Sequence, residues 1–198
     1  TECRKKAILI LEKAADGFSV AIDMLDNYDN NKREEIRLLE EEVDGMVEAC
    51  NSFLIRLSEK NVTPKESRII ADILHDLGDM ERISDYSLVL SGTVKKIHKD
   101  GIKQKKELLE TIAPVNTELK SILSSLKEAY ENKDSVLAEE MLSKSGKLVA
   151  MIKKIKKSNL RMLRDRKVEA EGSVYLSDYL TISRRVAEHS ANIAESLM

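Results

Sequence analysis

The chain has 198 residues, of which 42% are hydrophobic and 34% charged, so it is long enough for one large globular domain or two small ones. Only 7 glycines and 2 prolines leave little material for the turns of an all-β or α/β fold, which favours long helices. A formal net charge of -2 argues against a nucleic-acid binder whose affinity rests on phosphate neutralisation. The 2 cysteines lie in no C-x-x-C pattern, and no apolar run approaches the roughly 20 residues needed to cross a bilayer.

Three amphipathic stretches predict three helices in the first half of the chain. Apolar residues recur in steps of three and four over residues 8–25 and 36–57, with charged residues between them. The third helix is predicted from Thr63, as N-cap, to about Lys99, and Gly101 just beyond it suits a C-terminal cap.

The start of the third helix carries a strong local signal. Thr63 is placed to cap it, Pro64 stands at the first helical position, and Glu66 is spaced to complete a capping box. A helix is therefore expected to begin at this point.

The second half repeats the plan with stripes over residues 109–126, 136–163 and 176–193. Pro114 falls inside the fourth predicted helix, which should kink or restart there, and the sixth helix should start near Gly172. Short connections make neighbouring helices antiparallel, so each half should form a three-helix bundle.

Residues 78–86 align with residues 181–189 at a constant offset, which indicates an internal duplication. The predicted fold is therefore all-α, with two tandem antiparallel three-helix bundles. Their predicted bounds are residues 1–100 and 101–198.

Four carboxylates occupy unusual positions on the second and third predicted helices. At about 100° per residue, Glu81 and Asp85 fall at the edge of the buried face of the third helix. Glu40 and Asp44 fall at the matching edge of the second helix. On the same wheel Asp79 points to solvent, as do two further acidic residues, Asp72 and Asp76.

Carboxylates gathered at one helix boundary repel each other unless they are protonated, paired with cations or bridged by a metal ion. The i, i+4 spacing on paired helices could hold Mg, Ca, Mn, Fe or Zn. The alternative is a solvated helix face stabilised by local partners such as Arg37 and Arg82.

Four motifs resemble the PhoU family. They are L-L-E-E-E-V-D-G-M at 38–46, T-P-K-E-S-R at 63–68, L-G-D-M-E-R-I-S-D-Y at 77–86, and S-R-R-V-A-E-H-S-A-N-I-A-E at 183–195. The resemblance covers nearly the whole chain. It implies two tandem three-helix bundles without enzymatic activity, which regulate phosphate uptake and phosphate-responsive signalling in bacteria through transporters and sensor kinases.

The same domain also forms the cytoplasmic tail of sodium/phosphate cotransporter-like membrane proteins. A chain that starts at Thr1 without an initiator methionine resembles that tail more than a stand-alone PhoU protein. The implied partner is a membrane phosphate transporter, as part of the same polypeptide at the inner face of the bacterial cell membrane, and a homodimer is a further expectation. The alternatives are a stand-alone PhoU-type regulator and a metal-binding helical protein unrelated to transport.

Some PhoU-like proteins bind iron or zinc clusters at paired E(D)-x-x-x-D motifs. Carried over by position, the metal ligands here are Glu40, Asp44, Glu81 and Asp85. The expected cofactor is a divalent or ferric ion, namely Fe, Zn, Mg or Ca.

The second half departs from this pattern. Arg184 stands where Glu81 stands in the first half, and Glu188 replaces the aspartate four residues on. On the fifth helix the positions matching the two carboxylates of the second helix are Leu142 and Gly146. An arginine disfavours a cation and could pair with Glu188, so metal is predicted in the first bundle only.

No constellation predicts an enzyme. His75, His98 and His189 share no site and are predicted to be surface residues, and neither a catalytic triad nor a Gly-rich phosphate loop is present. The basic run at residues 153–157, continued over 161–167, could approach an acidic partner or the anionic inner membrane surface. Alternatively it is one solvated helix face.

Overall fold

The structure, a computed structural model, describes residues 2–100 and 105–198. Six helices occupy this part of the chain: α1 Glu2–Asp23, α2 Asn30–Ser58, α3 Pro64–Lys99, α4 Lys105–Asn132, α5 Ser135–Arg164 and α6 Ala170–Glu195. No strand is found among the described residues, and the predicted all-α class is confirmed.

The helices pack as two bundles that share a central contact. Helices α1, α2 and α3 pack on one another, as do α4, α5 and α6, which confirms the two three-helix bundles. Helix α3 also packs against α6, and α1 against α4, so the two bundles lie side by side. The predicted division between residues 100 and 101 borders the stretch outside the described residues. It stays a prediction, as does the cap at Gly101.

Local signals in the sequence set the helix starts. The Thr63 side chain accepts a hydrogen bond from the backbone N–H of Glu66, whose carboxylate accepts one from the backbone N–H of Thr63, so the capping box is confirmed. Asp29 and Asp134 cap α2 and α5 in the same manner, each accepting from backbone N–H groups of the first turn. These caps satisfy donors that a helix leaves without a partner.

Helix α4 runs through Pro114 without restarting, because a proline removes only one backbone donor and neighbouring helices hold the rest of the segment. Helix α6 begins at Ala170, slightly earlier than the predicted start near Gly172.

Two residues of the predicted apolar stripes lie at the surface and not in the core: Phe53 is 52% exposed and Val136 is 68% exposed. The core is mostly aliphatic, but its largest fully buried side chains are the aromatic residues Tyr179 and Phe18.

The duplication is visible in the buried positions of α2 and α5. When Val43 is set against Leu148, Val47 coincides with Ile152, and all four side chains are buried. This register places Ser145 and Val149 opposite the carboxylate positions of the first bundle, and the predicted register places Leu142 and Gly146 there. Helix α5 lacks a carboxylate at these positions in both registers, as predicted, and the match with Leu142 and Gly146 stays a prediction.

Candidate functional site

The predicted carboxylate cluster lies at the boundary of α2 and α3. Glu40, Asp44 and Asp85 each contribute one carboxylate oxygen to this cluster, and these three oxygens lie within 4.8 Å of one another. Among the described residues these three form the group of His, Cys, Asp and Glu side chains close enough to share one ion. The E-x-x-x-D spacing on α2 puts two of them one turn apart, and the short α2–α3 connection brings α3 alongside.

Electrostatic repulsion is built into this cluster. Burial raises the pKa of Glu40 first of all, and the charges of Asp44 and Asp85 raise it further. Burial and Asp85 likewise raise the pKa of Asp44, although that residue remains exposed at the helix surface. The ionised cluster is therefore unfavourable on its own and is stabilised by a proton or a cation.

Glu81, the fourth predicted ligand, is not part of the group of three. Its side chain is half-buried, and burial raises its pKa, with further contributions from Asp44 and Asp85. Glu81 thus lies within the electrostatic reach of the cluster without sharing its centre. Its role as a ligand stays a prediction.

The local arginines do not neutralise the cluster. Arg37 pairs with Glu34 and Glu41, the solvent-facing acids of its own helix. Arg82 contacts the group directly, with its guanidinium 3.1 Å from the Asp85 carboxylate, and the charge of Arg37 lowers the pKa of Glu40 only as the smallest of several effects. Three carboxylates facing one guanidinium leave an excess of negative charge, and oxygen donors of this kind suit a hard cation. The residues present therefore fit a metal ion.

The equivalent region of the second bundle is different. Arg184 pairs with Glu188, as predicted, and Arg185 also approaches Glu188 at 3.4 Å. The Lys156 ammonium donates to the Thr181 hydroxyl, and burial together with the charge of Arg184 lowers the pKa of Lys156. A cation would meet positive charge here.

A polar cluster between the two bundles was not predicted from the sequence. Asp76 on α3 is 3% exposed, and its carboxylate accepts hydrogen bonds from the Tyr130 hydroxyl at 3.1 Å and the Ser196 hydroxyl at 3.0 Å. Burial raises the pKa of Asp76 from 3.8 to about 6, against the lowering effect of both hydroxyls. Arg4 on α1 donates to the Tyr130 carbonyl at 2.6 Å, so four helices meet at this point.

The prediction that Asp79 points to solvent is wrong. Asp79 is 7% exposed and accepts hydrogen bonds from His189 and Asn192 of α6. Asp76 is likewise buried, whereas Asp72 is exposed as predicted. The helical wheel failed because α3 has two buried faces, one toward its own bundle and one toward α6.

Two of the three histidines, His98 and His189, are half-buried rather than at the surface as predicted. His75 is exposed, but its Nδ1 lies 3.4 Å from Asp79, which His189 contacts from the other bundle. His98 is half-buried, donates from Nε2 to the Leu25 carbonyl at 2.9 Å and accepts at Nδ1 from Lys105 at 3.0 Å. Two of the three histidines therefore meet at one carboxylate.

Small buried residues mark the packing faces of α3 and α6. The serines among them are Ser84, Ser87 and Ser91 on α3, and Ser183 and Ser190 on α6. Ser87 lies against Gly17 of α1, where two small residues allow close approach of two helices within the first bundle.

These features define a class: an all-α protein of two similar three-helix bundles, with a carboxylate cluster on the first bundle only among the described residues. Residues 8–91 and 115–197 each match the family model of the PhoU domain. The chain belongs to the PhoU family, which confirms the resemblance drawn from its motifs.

Solved structures give the same fold. The crystal structure of PhoU from Pseudomonas aeruginosa matches with a TM-score of 0.87 and 16% identity, covering 99% of this chain and 93% of that one. The phosphate transport system regulatory protein PhoU from Streptococcus pneumoniae matches with a TM-score of 0.84 and 17% identity, covering 99% and 91%. A comparison with curated protein sequences gave no match.

Proposed function

We propose that this PhoU-family chain regulates phosphate transport without catalysing a reaction. The observation that carries the proposal is the match of both halves to the PhoU domain, over residues 8–91 and 115–197. The similar structure from Streptococcus pneumoniae is that of a phosphate transport system regulatory protein. A regulator of this kind acts by binding, and the site supports binding because it gathers charge without a nucleophile and base in reach of each other.

The regulated partner is a membrane phosphate transporter on which the chain docks from the cytoplasmic side. No helix in the described ranges is long and apolar enough to span a membrane. In the first arrangement the chain is the tail of a sodium/phosphate cotransporter-like protein. In the second it is a separate PhoU-type regulator.

Docking is tested by capturing the transporter from detergent-solubilised membranes with the immobilised chain. The expected result is retention of the phosphate transporter, identified by mass spectrometry, at a level well above that on an unrelated helical bundle of similar charge. Equal retention on both would refute docking. The full reading frame of the gene separates the two arrangements, since an attached transporter is encoded directly upstream.

A second function is favoured by the carboxylate group at Glu40, Asp44 and Asp85. We infer that these residues, with Glu81 beside them, hold a divalent or ferric cation in the first bundle. The support is the clustering of three oxygen ligands within 4.8 Å and the excess of negative charge there. The cation would neutralise that charge and link α2 to α3. Measuring metal content after purification without chelator tests this inference.

A further inference from the structure

The second half of α5 carries a concentration of positive charge that contrasts with the rest of the chain. Residues 153–167 contain 8 lysines and arginines and a single acid, Asp165, whereas the whole chain has a net charge of -2. Segregation of charge on this scale produces a local positive field on a protein that is slightly acidic overall.

Much of this charge lies on one line along the helix. At about 100° per residue, Lys153, Lys157, Leu160, Arg161 and Arg164 fall within a wedge of roughly 100°. Ile152 and Asn159 are buried and mark the side of the helix that faces the core. The wedge lies on the other side of the helix. We call these five outward-facing residues the α5 basic face.

The charges of the α5 basic face are largely unneutralised. Lys153, Lys157 and Arg161 are exposed and form no ion pair with any residue in the described ranges. Arg164 contacts only its sequence neighbour Asp165, at 3.0 Å.

Some basic residues elsewhere in the molecule are paired across helices: Lys13 lies 2.9 Å from Glu42, and Lys127 lies 3.0 Å from Asp16. No acidic residue of another helix pairs with the α5 basic face among the described residues. An external anionic surface would supply the missing counter-charge.

The exposed side chain of Leu160 indicates which kind of anionic surface the α5 basic face would bind. Its side chain is 65% exposed in the middle of the basic residues, where water solvates it poorly. A bilayer interface takes up such an apolar side chain at the acyl boundary while the headgroups meet the lysines and arginines. An acidic protein surface or a nucleic-acid backbone would gain less from an isolated leucine among cations.

We propose that the α5 basic face binds the surface of a bilayer that contains anionic lipid. Helix α5 lies flat on the headgroups, with Lys153, Lys157 and Arg161 against the lipid phosphates and Leu160 at the acyl boundary. This contact is with lipid rather than with a transporter, so it goes beyond the proposed regulatory function. Vesicles without protein test it independently of that function.

The experiment is vesicle flotation with the full chain. Vesicles of phosphatidylcholine with 30% phosphatidylglycerol are compared with vesicles of phosphatidylcholine alone, at low and at physiological salt. The expected result is binding to the anionic vesicles only, weakening as salt is raised because the attraction is screened. Binding that is equal on neutral vesicles, or none on anionic ones, would overturn the proposal.

Charge-reversal variants locate the contact. The variant Lys153→Glu, Lys157→Glu, Arg161→Glu should weaken binding at least about 100-fold, since each charge near an anionic surface contributes about fivefold. The matched control reverses three exposed lysines remote from α5, Lys32→Glu, Lys60→Glu and Lys65→Glu, and has the same net charge. Equal losses in both variants would show a non-specific charge effect and overturn the proposal.

The leucine distinguishes a bilayer from an acidic polypeptide. Leu160→Ser keeps every charge and should weaken vesicle binding about tenfold, because an apolar side chain no longer enters the interface. Soluble polyglutamate should bind weakly and equally to this variant and to the unmodified chain. Tight polyglutamate binding with no vesicle binding would favour an acidic protein partner and overturn the lipid assignment. Helical circular dichroism of each variant confirms that the exposed substitutions leave the fold intact.

Discussion

Nδ1 of His189 on α6 lies 2.6 Å from Oδ1 of Asp79 on α3, and this pair joins the two bundles at a position where solvent is nearly excluded. Asn192 donates to the same carboxylate oxygen at 3.2 Å. A buried carboxylate oxygen needs donors, and α6 supplies two to Oδ1 of Asp79. The relative position of the two bundles therefore depends on a hydrogen-bonded carboxylate as well as on apolar packing.

His189→Ala should lower the free energy of unfolding by about 1–3 kcal/mol, because it removes a donor from a buried carboxylate. The matched control is His75→Ala, which alters an exposed histidine beside the same aspartate and should cost less than about 0.5 kcal/mol. Urea unfolding followed by circular dichroism measures both. Equal losses of unfolding free energy in the two variants would show that the hydrogen bond between His189 and Asp79 stabilises the fold no more than the exposed contact of His75 does.

Asp76 should make stability depend on pH. Burial, with a smaller contribution from the charge of Asp79, raises its pKa from 3.8 to about 6, against the lowering effects of Ser196, Tyr130 and His75. Because the unfolded chain loses this proton at lower pH than the folded one, stability should fall as pH rises from about 4 to about 6 and then level off.

Substituting Asp76→Asn removes the titrating group while keeping an oxygen to accept from Tyr130 and Ser196. The variant should lose this part of the pH dependence, which amounts to about 3 kcal/mol, and should gain stability relative to the unmodified chain at neutral pH. Thermal melts at a series of pH values are the measurement. An unchanged pH profile would mean that Asp76 does not hold its proton in the folded state.

Features that depend on neighbouring residues of one helix could be predicted from the sequence. The capping box at Thr63 and the edge position of Asp85 both follow from spacing along one helix, so periodicity and turn chemistry sufficed. The positions of Asp76 and Asp79 could not be obtained in this way. Their burial depends on α6, a helix more than 90 residues later in the chain, and a wheel drawn around one apolar stripe assigns the opposite face to solvent.

The carboxylate cluster also shows what could not be predicted from the spacing along single helices. The i, i+4 pairs on two helices predicted that four acids approach one another, and the structure brings three of them within reach of one ion. Whether Glu81 or Glu40 lies nearer the centre depends on the axial offset and rotation of α2 against α3. The packing of the whole bundle sets the offset and the rotation, and neither can be read from the spacing of residues along one helix.

Cation binding by the first bundle should stabilise the fold. With the pKa of Glu40, Asp44 and Glu81 all raised by burial and mutual repulsion, the ion-free cluster opposes folding once pH rises above the ordinary carboxyl range. A divalent ion at 100 times its Kd should add about 2.7 kcal/mol, and its affinity should decrease as pH is lowered because protons compete for the oxygens.

Asp44→Asn combined with Asp85→Asn should abolish this cation effect in melting experiments and in metal analysis. The matched control, Glu48→Gln combined with Asp72→Asn, removes one exposed carboxylate from each of the same two helices and should leave the effect intact. Stoichiometric metal that survives in the first variant would place the ion outside the α2–α3 boundary.

Phosphate uptake in the organism that encodes this chain tests the regulatory role most directly. Cells lacking residues 2–198 and cells in which the coding sequence has been restored are compared for uptake of radiolabelled phosphate, first under phosphate starvation and then after phosphate is returned. If the chain regulates phosphate transport, the deletion strain fails to reduce its uptake rate when phosphate is returned, and restoration recovers this response. Identical uptake in the two strains under both conditions would contradict a role in regulating phosphate transport.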